Sequence, residues 1–299
     1  MNVYSEIAGN KLKTYVALVI FFLFASSILY VLGKAMGMAG PGLFLFAFLI
    51  SMCANVVSYY YSDKIVLKLH NAKEADREQF FDLYTVTENL AIAAGIPKPK
   101  VYIIQEPAPN AFATGRDYKH SIVVVTTGLL ELLDRRELEG VIAHELSHIK
   151  NYDMLLMTVV SIVVGLIVYA TDFFMRAQWF RNSDDNNRQG ALWVVIALVM
   201  SIIAPLAATL LQLAISRKRE FLADASGAYI TRNPEALASA LEKLSSSSVP
   251  TMSSATNATA HLFFENPFGS DKGSKKSWFV NMFSTHPPLT ERIAKLRTM

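Results

Sequence analysis

Long uninterrupted apolar runs alternate with short strand-like and helix-like patterns along this chain of 299 residues. Four runs are long enough to cross a bilayer, which takes about 20 residues: 14–33 (TYVALVIFFLFASSILYVLG), 36–61, 154–175 and 191–215. The first two carry no charge, and the second closes on Tyr59-Tyr60-Tyr61, the aromatic composition of a membrane–water boundary. Asp172 near its end makes the third run the weakest of the four. The length of the first run, and a second so soon after it, favour a retained helix over a cleaved signal peptide.

Between the second and third runs the pattern changes period. Residues 74–95 repeat with a helical spacing and stop at Gly95-Ile96-Pro97. VYIIQ (101–105), NAFATG (110–115) and SIVVVTTG (121–128) are short, rich in β-formers and separated by turn residues, so they predict a small sheet or hairpin. From Leu129 a single helical pattern runs on to Ile149. Another covers 217–229, and Asn233-Pro234 opens a further helix with Asn233 as its cap. Residues 245–277 are rich in Ser, Thr, Asn, Gly and Lys and predict a mobile loop. Within it Phe263 and Phe264, like Phe268, Trp278 and Phe279, read either as packing residues or as a lid.

Composition agrees with a membrane protein: 52% of residues are hydrophobic and 18% are charged, against a usual quarter. The net charge of +3 is mild and scattered, which gives no nucleic-acid footprint. A lone cysteine, Cys53, excludes an intrachain disulfide. Lys11 and Lys13 precede the first run, Lys64 and Lys68 follow the second, and Arg217-Lys218-Arg219 follow the fourth. The positive-inside tendency therefore places the N-terminus, 62–153 and 216–299 in the cytoplasm. The expected organisation is an N-terminal transmembrane hairpin (1–61), a cytosolic portion with a small sheet (62–153), a second transmembrane hairpin (154–215) and a C-terminal cytosolic portion (216–299).

Chemistry is concentrated at VIAHELSHIKNYD (141–153). Residues four apart stack on one helix face, so His144 and His148 can present two imidazoles to one ion, with Glu145 beside them to accept a proton from water. A catalytic zinc site needs a third protein ligand. RKREFLADASGA (217–228) offers Glu220, with Asp224 one turn later on the same face as an acceptor for the outer N–H of a ligating histidine. Both halves border apolar runs, so the site is expected at the cytosolic membrane surface. His286 and Arg292, in THPPLTERIAKL (285–296), are candidate donors to a developing oxyanion. His70, His120 and His261 are not expected to be ligands.

Taken in order, PNAFATG, AHELSHIKNYD, REFLADASGA, NPEALASAL and STHPPLTERI resemble the HtpX-type membrane zinc metalloproteases, relatives of the CAAX prenyl endopeptidases. The resemblance implies a mainly α integral membrane protein, with four transmembrane helices in two hairpins and a cytosolic zincin-like α+β protease domain. It implies one Zn2+ held by His144, His148 and Glu220, with Glu145 catalytic and His286 and Arg292 close to the active site. Asn110, Ala111 and Phe112 would form an edge strand along which substrate backbone pairs. The implied setting is the bacterial inner membrane, where the enzyme degrades damaged membrane proteins under stress, beside other quality-control proteases. A specific maturation protease and a non-catalytic zinc-binding adaptor are the competing readings. Glu145 argues against the adaptor, because a structural metal site needs no neighbouring base.

Overall fold

The computed structural model describes residues 40–159, 217–247, 262–264 and 287–299, with scattered positions between 9 and 30. Most of the third apolar run and all of the fourth lie outside the described residues, as do His261 and His286.

Helix α1 (Pro41–Leu69) opens with proline in its first turn, where the missing N–H is not needed. Its parts Pro41–Ala54 and Tyr59–Leu69 meet at a bend of 63°. Together they are long and apolar enough for a membrane span, whereas no single helix among the described residues is.

A four-stranded sheet follows, in the order β1-β2-β4-β3. β1 (Lys73–Glu74) runs antiparallel to β2 (Lys100–Ile104), β2 parallel to β4 (Ser121–Thr126), and β4 antiparallel to β3 (Ala111–Gly115). β3 is thus an edge strand. Helix α2 (Phe81–Ala94) fills the β1–β2 connection and ends on Gly95 in the left-handed region, φ 69°. The helical pattern read over 74–95 is shorter in the fold, for two reasons. Lys73 and Glu74 pair with Ile103 and Tyr102, and Asp76 Oδ1 accepts from Glu78 N and Gln79 N at 2.9 Å, which makes a turn.

The pattern from Leu129 onward also divides, into α3 (Thr127–Leu132) and α4 (Arg135–Lys150). Asp134 causes the break. Its Oδ1 accepts from Arg136 N and Glu137 N at 2.8 and 3.0 Å, while Glu137 Oε2 accepts from Asp134 N at 2.9 Å. This reciprocal capping box starts a new helix wherever it forms. After α4 residues 153–159 are helical. Then come α5 (Arg217–Thr231), α6 (Pro234–Ser246) and α7 (Leu289–Leu296). Asn233 caps α6 by accepting from Ala236 N at 3.3 Å.

Alternation along the strands gives the sheet two buried faces. Val101, Ile103, Ala111, Ala113, Val123 and Val125 join a core with α2, α4, α5 and α6. Ile104, Phe112, Ile122 and Val124 face the other way, against Val66 and Leu67 of α1, Met157 and Phe263. The segment 262–264 is therefore buried packing, not part of a mobile loop: Phe263 and Phe264 are 0% and 2% exposed.

Candidate metal centre

Helix α4 packs across β3 and β4 and carries His144, Glu145 and His148, all buried. Helix α5 crosses α4 closely because Gly227 has no side chain at the crossing. A Cβ there would stand 3.0 Å from His144 N. That approach brings Glu220 and Asp224, one turn apart on α5, against the two imidazoles.

The donor atoms converge. His144 Nε2 and His148 Nε2 lie 3.1 Å apart, and Glu220 reaches them at 3.8 and 3.5 Å respectively. One ligand atom from each residue lies within 4.8 Å of the others. Outer partners set both tautomers. His144 Nδ1 donates to Asp224 Oδ1 at 2.9 Å and His148 Nδ1 to Asp153 Oδ2 at 3.2 Å, which turns both Nε2 atoms inward.

Burial pushes His144 down to about 4, against the pull of its hydrogen bond to Asp224, so it is neutral at pH 7. Burial also opposes charge on His148. There the Asp153 hydrogen bond and the charges of Glu220, Asp153 and Glu145 prevail, and its pKa rises to about 9. Two facing lone pairs 3.1 Å apart repel unless a proton or a cation lies between them. Tetrahedral zinc with Zn–N of about 2.0–2.1 Å separates its donors by about 3.3 Å. The buried His-His-Glu set therefore fits that ion in atom type and in spacing.

Arg292 reaches the cluster from α7 and is fully buried. Its Nε donates to Asp224 Oδ2 at 2.9 Å and its Nη2 to Asp224 Oδ1 at 2.7 Å. Nη1 lies 3.9 Å from Glu220 Oε2 and has no hydrogen-bond partner among the described residues. The structure thus places Arg292 first of all behind Asp224. Although burial disfavours the Asp224 carboxylate, Arg292 and His144 outweigh that and hold it down at about 2.

β3 lies beside the cluster. Asn110 N donates to Thr126 Oγ1 at 2.8 Å, and Asn110 Oδ1 accepts from Ala111 N at 3.0 Å. Phe112 points to the far face of the sheet, where its ring meets that of Phe263 edge-on at 5.0 Å and His70 packs against both, with ring centroids 5.9 and 5.2 Å away. Ala113 lines a cavity of about 10 Å³ with His144, Glu145 and His148, room for about one water. Phe264 closes this cavity. Its N–H donates to Ala111 O at 2.8 Å, and its ring stands 5.0 Å from that of His144, under the Arg292 guanidinium.

Two participants escaped the sequence reading. Asp153 was visible as a carboxylate five residues after His148, but that offset does not share a helix face. Phe264 was read only as a packing or lid residue, and its place over His144 depends on tertiary packing.

The pattern of Peptidase family M48 matches residues 77–299. The chain is similar to the protease HtpX homolog of Caldanaerobacter subterraneus subsp. tengcongensis, 47% identical over 305 residues that cover 100% of this chain and 98% of the relative. It is similar also to that of Pyrococcus furiosus, 46% identical over 277 residues, 92% of each chain. Among solved structures it resembles the crystal structure of S. mikatae Ste24p, with a TM-score of 0.50 and 15% identity over 98% of this chain and 67% of that one. At that identity the likeness concerns the fold alone.

Proposed function

The chain belongs to peptidase family M48 and is a metalloprotease, and on that footing we propose an integral-membrane zinc endopeptidase. Its substrates would be misfolded or damaged membrane proteins, cut at the cytosolic face of the bacterial inner membrane. One observation carries the catalytic half of this reading. Three buried donors converge within 4.8 Å, and both histidines have their outer nitrogens turned to carboxylates. The membrane half is supported by α1, where Phe44, Leu45, Phe46, Leu49, Ile50 and Met52 are exposed, a continuous apolar surface suited to lipid.

Zinc held by His144, His148 and Glu220 would polarise the scissile carbonyl and acidify the attacking water. Glu145 accepts the proton of that water and passes it to the leaving amine nitrogen. Asp224, braced by Arg292, keeps the His144 ring turned inward. Arg292 Nη1 and His286 are the proposed donors to the carbonyl oxygen as it gains charge. An extended substrate pairs its backbone with the edge of β3 at Asn110, Ala111 and Phe112, which gives affinity with little sequence preference.

The test is cleavage of an unfolded membrane protein in detergent by wild type, by chelated protein with and without zinc restored, and by Glu145→Ala with its metal content measured. Reversible loss on chelation, and a zinc-loaded but inactive Glu145→Ala, are the expected results. Cleavage by Glu145→Ala at the wild-type rate would remove the proposed base.

A further inference from the structure

Each of the two histidines at the centre turns its outer nitrogen to a buried carboxylate that an arginine neutralises, through hydrogen bonds in one case and an ion pair in the other. His144 donates to Asp224, which Arg292 grips. His148 donates to Asp153 Oδ2, and Arg219 Nη1 stands 3.5 Å from Asp153 Oδ1. Asp153 and Arg219 are only 1% and 6% exposed. Burying charge so deeply is costly unless the groups are paired.

The local backbone indicates that Asp153 is held in place. Helix α4 ends at Lys150, and Tyr152 then adopts φ 61°, a left-handed conformation unusual for a bulky residue. That reversal turns Asp153 back onto His148, five residues earlier and otherwise out of reach along a helix. Such strain persists only where surrounding contacts impose it. Arg219 directly precedes Glu220 on α5, so one ion pair joins the partner of His148 to the helix that carries the third donor.

We propose that Asp153 and Arg219 are a positioning pair for the metal centre. Asp153 fixes the tautomer and ring orientation of His148, and Arg219 holds Asp153 while tying it to the Glu220 helix. The inference rests on the metallopeptidase reading above. Neither residue is assigned contact with substrate.

The experiment measures zinc affinity of the full-length detergent-solubilised protein by competition with a fluorescent chelator. It compares wild type, Asp153→Asn, Arg219→Gln, Arg219→Lys and the double variant Asp153→Asn/Arg219→Gln. Loss of an outer partner of a metal-bound histidine weakens binding by roughly 10- to 100-fold, and Asp153→Asn is expected in that range. Arg219→Gln should lose less, Arg219→Lys should recover most of that loss, and the double variant should be no worse than Asp153→Asn alone. If Asp153→Asn is poorly folded, the double variant, which also removes the charge of Arg219, decides the question. Zinc affinity of that double variant within twofold of wild type would overturn the proposal, as would fully additive losses from the two single changes. Wild type that binds no zinc would instead sink the metallopeptidase reading itself.

Discussion

Arg292 clasps Asp224 through two hydrogen bonds, Nε to Oδ2 at 2.9 Å and Nη2 to Oδ1 at 2.7 Å, with neither side chain open to water. Breaking a buried pair on one side leaves an uncompensated charge and costs about 3–5 kcal/mol. Arg292→Leu is expected to destabilise the protein on that scale. The double change Arg292→Leu/Asp224→Asn should be milder, as chemical denaturation of the metal-free forms will show. A double variant worse than Arg292→Leu alone would contradict the pairing.

Metal binding should depend steeply on pH. The His148 pKa is raised from 6.5 to about 9, so a proton must leave before its Nε2 lone pair is available. Zinc affinity is expected to climb about tenfold per pH unit between 6.5 and about 9. Metal-free stability should move the opposite way. A raised folded pKa contributes stability that is whole below 6.5 and is lost as pH rises through about 9. The Asp224 carboxylate, lowered from 3.8 to about 2, contributes above 3.8 and loses that contribution as pH falls through about 2. Zinc competition across pH 6.5 to 9, and denaturation of the metal-free protein across about pH 1.5 to 10, check both signs.

Two glycines set how closely helices approach α4. A Cβ on Gly140 would meet Leu237 N of α6 at 2.7 Å, a contact with backbone that cannot swing aside. Gly140→Ala is expected to cost about 1–3 kcal/mol, the range for overpacking a well-filled core. Gly227→Ala meets His144 N at 3.0 Å, so its effect should appear as weaker zinc binding as well as lower stability. Equal zinc affinities for the two variants would show that the α4–α5 distance does not govern the donor set.

A substrate strand pairing along β3 needs the Ala111 carbonyl that now accepts from Phe264 N. Phe264→Ala removes the ring over His144, and Phe264→Pro removes the ring and the donor. Of the two, Phe264→Pro is expected to show the lower KM for an extended peptide, with similar kcat. Identical KM values would mean that substrate does not compete for that carbonyl.

Patterns local to the chain read well because their causes are local. Gly95 ends α2 where a left-handed residue is needed, Asn233 caps α6, and the three strand-like runs became β2, β3 and β4 within a residue or two. His144 and His148 share a face because they are four apart, and Glu220 lies with them across the α4–α5 packing. The capping box at Asp134–Glu137 was also in the sequence, but the apolar period running through it masked the break. What could not be read arises from contacts distant along the chain. Lys73–Glu74 becomes a strand only because β2 offers an edge, and Asp153 reaches His148 only through the turn at Tyr152. Arg292 looked like a donor to substrate, and only the fold shows Asp224 beneath it.

The far face of the sheet bears on how this protein can be handled. Phe112, Ile122 and Val124 are covered there by Val66 and Leu67 at the end of α1, by Met157 and by Phe263. The end of α1 and the helical residues 153–159 thus complete the core of the sheet that carries β3. Cutting away residues before β1 to obtain a water-soluble fragment would uncover the part of that face that Val66 and Leu67 cover. Such a fragment is expected to aggregate more readily on expression than the full chain.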